Sequence, residues 1–220
     1  MRKLNIVLSI IIIFTITIFS LTIVPNLVFR TSSVYSFYFN DTRVVEKLYT
    51  SRTADEMADE ISGYINSFSD VPFRVYEDTG YDLENIFTDD EGFNMQVMKG
   101  VLDKLLYLSL ACLLFSITVY AHFLRENKKK VLRDRYYISL ALTIAGTVFE
   151  FATIMSTTGQ AKMISLLGLI ELPPNNYLSI LVGEAFLGTA IKFLLVASII
   201  VIAVSTYIVM KLTKPDRIFF

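Results

Sequence analysis

Two ionisable residues interrupt runs that are otherwise apolar: Glu150 in residues 136–157 and Lys192 in residues 186–210. A charge in hydrocarbon is costly, so an intramembrane ionisable residue is a functional hypothesis by default. A carboxylate can accept a proton and an ammonium can stabilise an oxyanion. The pair therefore has the ingredients of a polar site with Glu150 as general base or proton relay. It has equally the ingredients of an ion pair that holds two spans in register. Snorkelling of the Lys192 stem to the headgroups would weaken both readings. Little other chemistry is on offer. The single Cys112 and the single His122 exclude an internal disulfide and a zinc cluster, and no phosphate-binding loop or GxSxG elbow occurs. No cofactor and no metal is implied. His122 lies at the far end of its run and reads as an interfacial residue.

The elements that must position these residues are membrane spans. Of the 220 residues 54% are hydrophobic, and the net charge of −1 gives no basic field for nucleic acid. About 20 apolar residues suffice to cross a bilayer as a helix. The sequence divides into a first span at 1–26, a polar module at 27–100 and a second span at 101–124. A basic loop at 125–135 and a third span at 136–157 follow. Then come an interfacial segment at 158–185, a fourth span at 186–210 and a tail at 211–220. The first run exceeds the apolar core of a signal peptide and no small-x-small cleavage site follows, which predicts a retained anchor. The 125–135 loop holds six basic and two acidic residues, against 6 basic and 14 acidic in 27–100. The positive-inside rule then places both termini and the basic loop in the cytoplasm, with 27–100 outside. A lipid-binding patch is the other reading of the loop. The opposed directions of spans three and four put Glu150 and Lys192 at similar depth, ~10 Å below the outer surface.

Within 27–100, Val34-Tyr-Ser-Phe-Tyr-Phe39 suits a strand or the membrane interface. Thr53-Ala-Asp-Glu56 predicts a capping box, with Met57, Ile61, Ile65 and Phe68 on one helical face and Val71-Pro72 ending the helix. Residues 73–76 and 81–87 flank Glu77-Asp-Thr-Gly80, a hairpin turn with Gly80 supplying positive φ. A second capping box, Thr88-Asp-Asp-Glu91, opens a helix that runs unbroken into span two. The acidic side chains between Glu77 and Glu91 lack the spacing of a calcium loop and read as a solvated surface. Asn40-Asp-Thr42 is a glycosylation sequon of chance frequency. Asp103 and Lys104 stand at the mouth of span two, able to extend a site or to be plain interfacial residues. Residues 162–172 and Pro173-Pro174 predict an interfacial helix or re-entrant turn. The fold class expected is a membrane protein, an all-α transmembrane bundle of four helices with a small extracytoplasmic α+β insert.

This layout resembles the Gram-positive integral membrane family that includes the lipoprotein intramolecular transacylase (Lit). The segment Phe87-Thr-Asp-Asp-Glu-Gly-Phe-Asn-Met-Gln-Val-Met-Lys99 is similar to that family's run before span two, and Asn176-Tyr-Leu-Ser-Ile-Leu-Val-Gly-Glu-Ala-Phe186 to the run before the last span. The resemblance implies acyl transfer from the diacylglyceryl group of a lipoprotein's N-terminal cysteine to that residue's own amine. Such chemistry needs a base and a stabilised oxyanion at the outer surface. Family members use external histidines, whereas Asn94 stands at the matching position here. Asn94 can donate to an oxyanion but is no base. A catalyst would therefore use Glu150, Lys192 and Asn94.

The partners expected are membrane lipids and either lipidated proteins or another membrane protein. A non-enzymatic anchor whose acidic module docks a partner through residues 53–68 and 34–39 is the alternative. A transporter is weakened by having only four spans.

Overall fold

The computed structural model describes residues 2–48, 50–68, 70–78, 82–166 and 176–214. Four helical stretches among them are long and apolar enough to cross a membrane: Leu4–Phe29, Asp89–Arg125, Lys129–Ile154 and Tyr177–Leu212. The chain divides into two compact units. The first comprises Met1–Val24, Leu105–Glu150 and Leu195–Phe220, and the second Pro25–Lys104 and Phe151–Leu194.

The first unit is built from parts of α1 (Arg2–Phe29), α4 (Asp89–Arg125), α5 (Lys129–Ile154) and α8 (Glu184–Leu212). Ile12 and Ile16 of α1 meet Val119 and Phe123 of α4, Leu132 and Tyr136 of α5, and Val209 of α8 in one buried cluster. Lipid is as apolar as these side chains, so hydroxyl pairs and close backbone approach must add specificity. Thr15 pairs with Ser116 at 2.9 Å and Thr17 with Ser139 at 3.1 Å. The Tyr136 hydroxyl reaches Thr206 at 2.7 Å and Ser205 at 3.0 Å. At Gly146 a Cβ would lie 3.0 Å from Leu21, so α1 and α5 approach closely there.

The basic run 125–135 is no extended loop. Asn127, in the left-handed region at φ 55°, ends α4 with two bonds, Asn127 N–H to Leu124 O and Lys128 N–H to Phe123 O. This is a Schellman closure, and asparagine is one of the few side chains that tolerates it. From Lys129 onward the basic residues already belong to α5. His122 Nε2 lies 3.4 Å from Glu126 Oε1 in this turn.

Three buried polar atoms of this unit, on Tyr120, His122 and Arg135, have no hydrogen-bond partner among the described residues. Tyr120 lies on an apolar cleft of about 340 Å³. A buried donor without an acceptor costs stability. Tyr120→Phe is therefore expected to leave the melting temperature of the detergent-solubilised protein unchanged or raise it, by up to ~1 kcal/mol equivalent.

The second unit holds α2 (Ser32–Thr42), a 3-10 turn (Val44–Lys47), α3 (Ala54–Asn66), β1 (Tyr76–Asp78), β2 (Leu83–Asn85), α6 (Thr157–Leu166) and α7 (Tyr177–Val182), with the adjoining ends of the long helices. The segment 34–39 expected as a strand or interface run is helical instead. Val34, Tyr35, Tyr38 and Phe39 recur at helical spacing and are all buried. Packing of that face outweighs the β preference of its aromatics. α2 packs against α3, which starts with the expected capping box: Thr53 Oγ1 accepts from Glu56 N–H at 3.2 Å, and the Glu56 carboxylate accepts from Thr53 N–H at 2.8 Å. Met57, Ile61 and Ile65 are fully buried. Phe68 is not on that face, because α3 ends at Asn66, and its ring is 98% exposed.

The hairpin exists with a shifted first strand. Tyr76 pairs with Asn85, Glu77 with Glu84 and Asp78 with Leu83, so Glu77 and Asp78 are strand residues rather than turn residues. Gly80 lies outside the described residues, as do Pro173, Pro174 and the rest of 167–175 in the expected interfacial stretch, of which α6 and α7 are described parts.

Thr53 amide and hydroxyl bonds hold the Glu56 carboxyl below its ordinary value of 4.5, and hydrogen bonds from Ser51 do the same for Glu77. A depressed carboxylate adds stability that is complete above its unfolded value and is lost as pH falls through the folded one. Thermal stability is thus expected to be flat above pH ~6 and to decline below ~4.5, with Glu56→Gln flattening part of that decline.

Candidate functional site

At the start of the second unit's share of α4, one carboxylate serves two helices. Glu91 Oε2 accepts from Thr88 N–H at 2.8 Å and from its hydroxyl at 3.0 Å, completing the second capping box. Glu91 Oε1 accepts from Leu178 N–H at 2.9 Å at the start of α7. The side chain is 1% exposed and fully committed to these amides. Beside it, a Cβ on Gly92 would lie 2.6 Å from Phe73 O, and Gly92 O accepts from Phe73 N–H. Only glycine lets the 73–75 backbone cross α4 so closely.

Two turns further along α4 lies a charged cluster. Asp103 accepts from Lys99 Nζ at 2.9 Å and from the Arg30 guanidinium. Arg30 spends its other donors on Asn26 Oδ1 at 2.8 Å and Ile65 O at 2.6 Å, and Arg30 O accepts from Asn66 Nδ2 at 2.8 Å. Lys99 is 3% exposed. Arg30 thus ties the end of α1, the end of α3 and α4 together. Asp103 is the centre of that knot, while Lys104 is exposed. The sequence held one signal of it, the i,i+4 spacing of Lys99 and Asp103. The third member, Arg30, lies 73 positions from Asp103, beyond the reach of any local pattern.

Above this knot α3 bears an open cleft of about 520 Å³, lined among others by Arg52, Glu60, Tyr64 and Arg74. Arg52 pairs with Glu60 at 3.3 Å. Burial, with the carboxylates of Asp70 and Asp103 nearby, pushes the Tyr64 phenol up to about 12.

The residues singled out from sequence are placed as follows. Asn94, on α4, is half-buried in the second unit. Lys192, on α8, belongs to the same unit and is exposed. Glu150, near the end of α5, belongs to the first unit and is exposed there. No hydrogen bond joins Asn94 to Lys192. Among the described residues no group of three His, Cys, Asp or Glu side chains could hold a metal ion.

No protein-family model matches this sequence, and no curated protein matches it. Among solved structures the chain is similar to the membrane-integral lipoprotein intramolecular transacylase Lit from Bacillus cereus. The TM-score is 0.69 at 15% identity, covering 96% of this chain and 98% of that chain. Two further structures of that protein, each with a histidine substituted, give TM-scores of 0.67 and 0.65 at 16% identity. They cover 96% of this chain, and 94% and 96% of those chains. At such identity the likeness is one of fold. The chain is a multi-pass membrane protein with a Lit-like fold.

Proposed function

We propose that the protein acts at the outer leaflet on lipidated proteins, with both termini in the cytoplasm and the 27–100 module outside. The reaction is transfer of an acyl chain from the diacylglyceryl group of an N-terminal cysteine to that cysteine's amine. The amine nitrogen forms a bond to the ester carbonyl carbon, the ester C–O bond breaks, and the amine proton passes to the glyceryl oxygen. The observation that supports this reading is the fold likeness to Lit, which extends over almost the whole of both chains. Orientation is supported by the basic turn between α4 and α5 and the acidic module.

Residue roles rest on side-chain chemistry and on depth along the spans. Lys192 and Asn94 donate to the oxyanion and Glu150 receives the amine proton. Asp103 and Glu91 are given no part in the reaction, since each carboxylate is already occupied by two or more donors.

The test is co-expression with a reporter diacyl lipoprotein, followed by mass spectrometry of its N-terminal peptide. Transfer conserves mass, so fragmentation must place an acyl group on the amine. Lys192→Met is expected to lower the acylated fraction by at least tenfold while the melting temperature holds. A lost melting temperature with no acyl phenotype would instead make Lys192 structural.

A second reading is favoured by the cleft along α3, which is open, lined by charged residues such as Arg52, Glu60 and Arg74, and formed on the helix expected to meet a partner. In it the module docks another membrane protein without chemistry. Recovery of only the diacylglyceryl form in the same experiment selects that reading.

A further inference from the structure

Three cations converge on one concavity of the first unit. Arg133 of α5, Lys211 of α8 and Lys214 just beyond it line a space of about 580 Å³ with Tyr207, Met210 and Thr213. No carboxylate lines it; Asp134, adjacent in sequence, does not take part. No described acidic side chain forms a salt bridge with any of the three. Lys211 Nζ sits 5.9 Å above the Tyr207 ring, a cation–π contact that holds the ammonium at the edge of the apolar surface.

Below Lys211 on the same α8 face come Tyr207, Val204 and Ile200, at helical spacing and 66%, 52% and 55% exposed. A cationic end above an exposed apolar strip matches the shape and polarity of one kind of molecule. We infer that this concavity binds an anionic phospholipid, with its phosphate between Arg133, Lys211 and Lys214 and an acyl chain along Tyr207, Val204 and Ile200. Arg133 can grip two phosphate oxygens at once, whereas the lysines act as point charges. A neutral lipid would leave the three charges uncompensated, and a soluble phosphate would make no use of the strip. The inference is independent of the acyl-transfer reading, because it uses no residue given a role in that chemistry.

The experiment is native mass spectrometry of the full-length protein, delipidated in detergent and titrated with equimolar phosphatidylglycerol and phosphatidylcholine of identical chains. The wild type is expected to retain phosphatidylglycerol in preference. Surface cations contribute roughly fivefold each, so R133Q/K211Q is expected to cut that preference roughly twenty-fivefold. R133K/K211R, which keeps the charges, is expected to retain most of it and guards against misfolding of the neutral variant. K47Q/K162Q, with the same charge loss in the other unit, is expected to behave as wild type. Equal retention of the two lipids by the wild type overturns the inference. So does an undiminished preference in R133Q/K211Q, or full displacement of the lipid by millimolar inorganic phosphate.

Discussion

Asp103→Asn is expected to be among the most damaging single substitutions in the second unit. It leaves the Arg30 guanidinium and the 3%-exposed Lys99 ammonium facing one another without a counter-charge. Removing one partner of a buried ion pair costs ~3–5 kcal/mol. The Asp103 side chain keeps 24% of its exposure, so water screens part of the charge and ~2–4 kcal/mol is the appropriate range. Thermal unfolding in detergent, read by protease resistance of residues 25–104, checks this. The added substitution Lys99→Met should recover about half of the loss, because it removes the orphaned ammonium. A change below ~1 kcal/mol for Asp103→Asn alone would show the cluster to be solvated and structurally idle.

Phe186→Ala is the second large effect. Its ring stacks on Tyr35 at 4.9 Å and 5°, and meets Tyr38 edge-on at 5.5 Å and Phe29 at 6.0 Å. The residue is fully buried, as is Tyr35, whose hydroxyl donates to Phe29 O at 2.7 Å. Burial of the Tyr35 ring, opposed by Arg30, pushes its phenol well above the usual range, which keeps it a neutral donor. Truncating such a residue costs ~3–5 kcal/mol through lost burial and the cavity left behind. Aromatic contacts add ~0.5–1.5 kcal/mol each beyond area. Phe186→Leu should recover most of the volume and half or more of the stability. The same protease assay applies, and an alanine variant as resistant as wild type would refute this account of the core.

These two sites mark the limit of what the sequence showed. Spans, capping boxes and the continuous helix from Asp89 were legible because each rests on composition or on spacing within a turn or two. The basic run 125–135 was legible as charge but not as structure, since the closure at Asn127 depends on one backbone dihedral. The strand reading of residues 34–39 weighed the β propensity of the aromatics over their helical spacing, while their burial against Phe186 comes from the far end of the chain. Phe68 was placed on the α3 face because periodicity alone does not say where a helix stops. Of the candidate site, Glu150 and Lys192 stood out as charges in apolar runs. Arg30 did not, because an arginine just after a span is ordinary until its partners are known.

The union of Tyr35 with Phe186 carries a consequence in time. The ring that completes the module's core is translated about 150 residues after its partners. At ~5–20 residues per second, the ribosome needs roughly 8–30 s to deliver it. Throughout that interval Tyr35 and Tyr38 of α2 lack the ring they pack on, and the nascent module is open to quality-control proteases. Chains arrested before residue 186 should therefore be cleared quickly, even though three of the four membrane-crossing helices are already made. Full-length protein, by contrast, becomes protease-resistant only once the last span arrives.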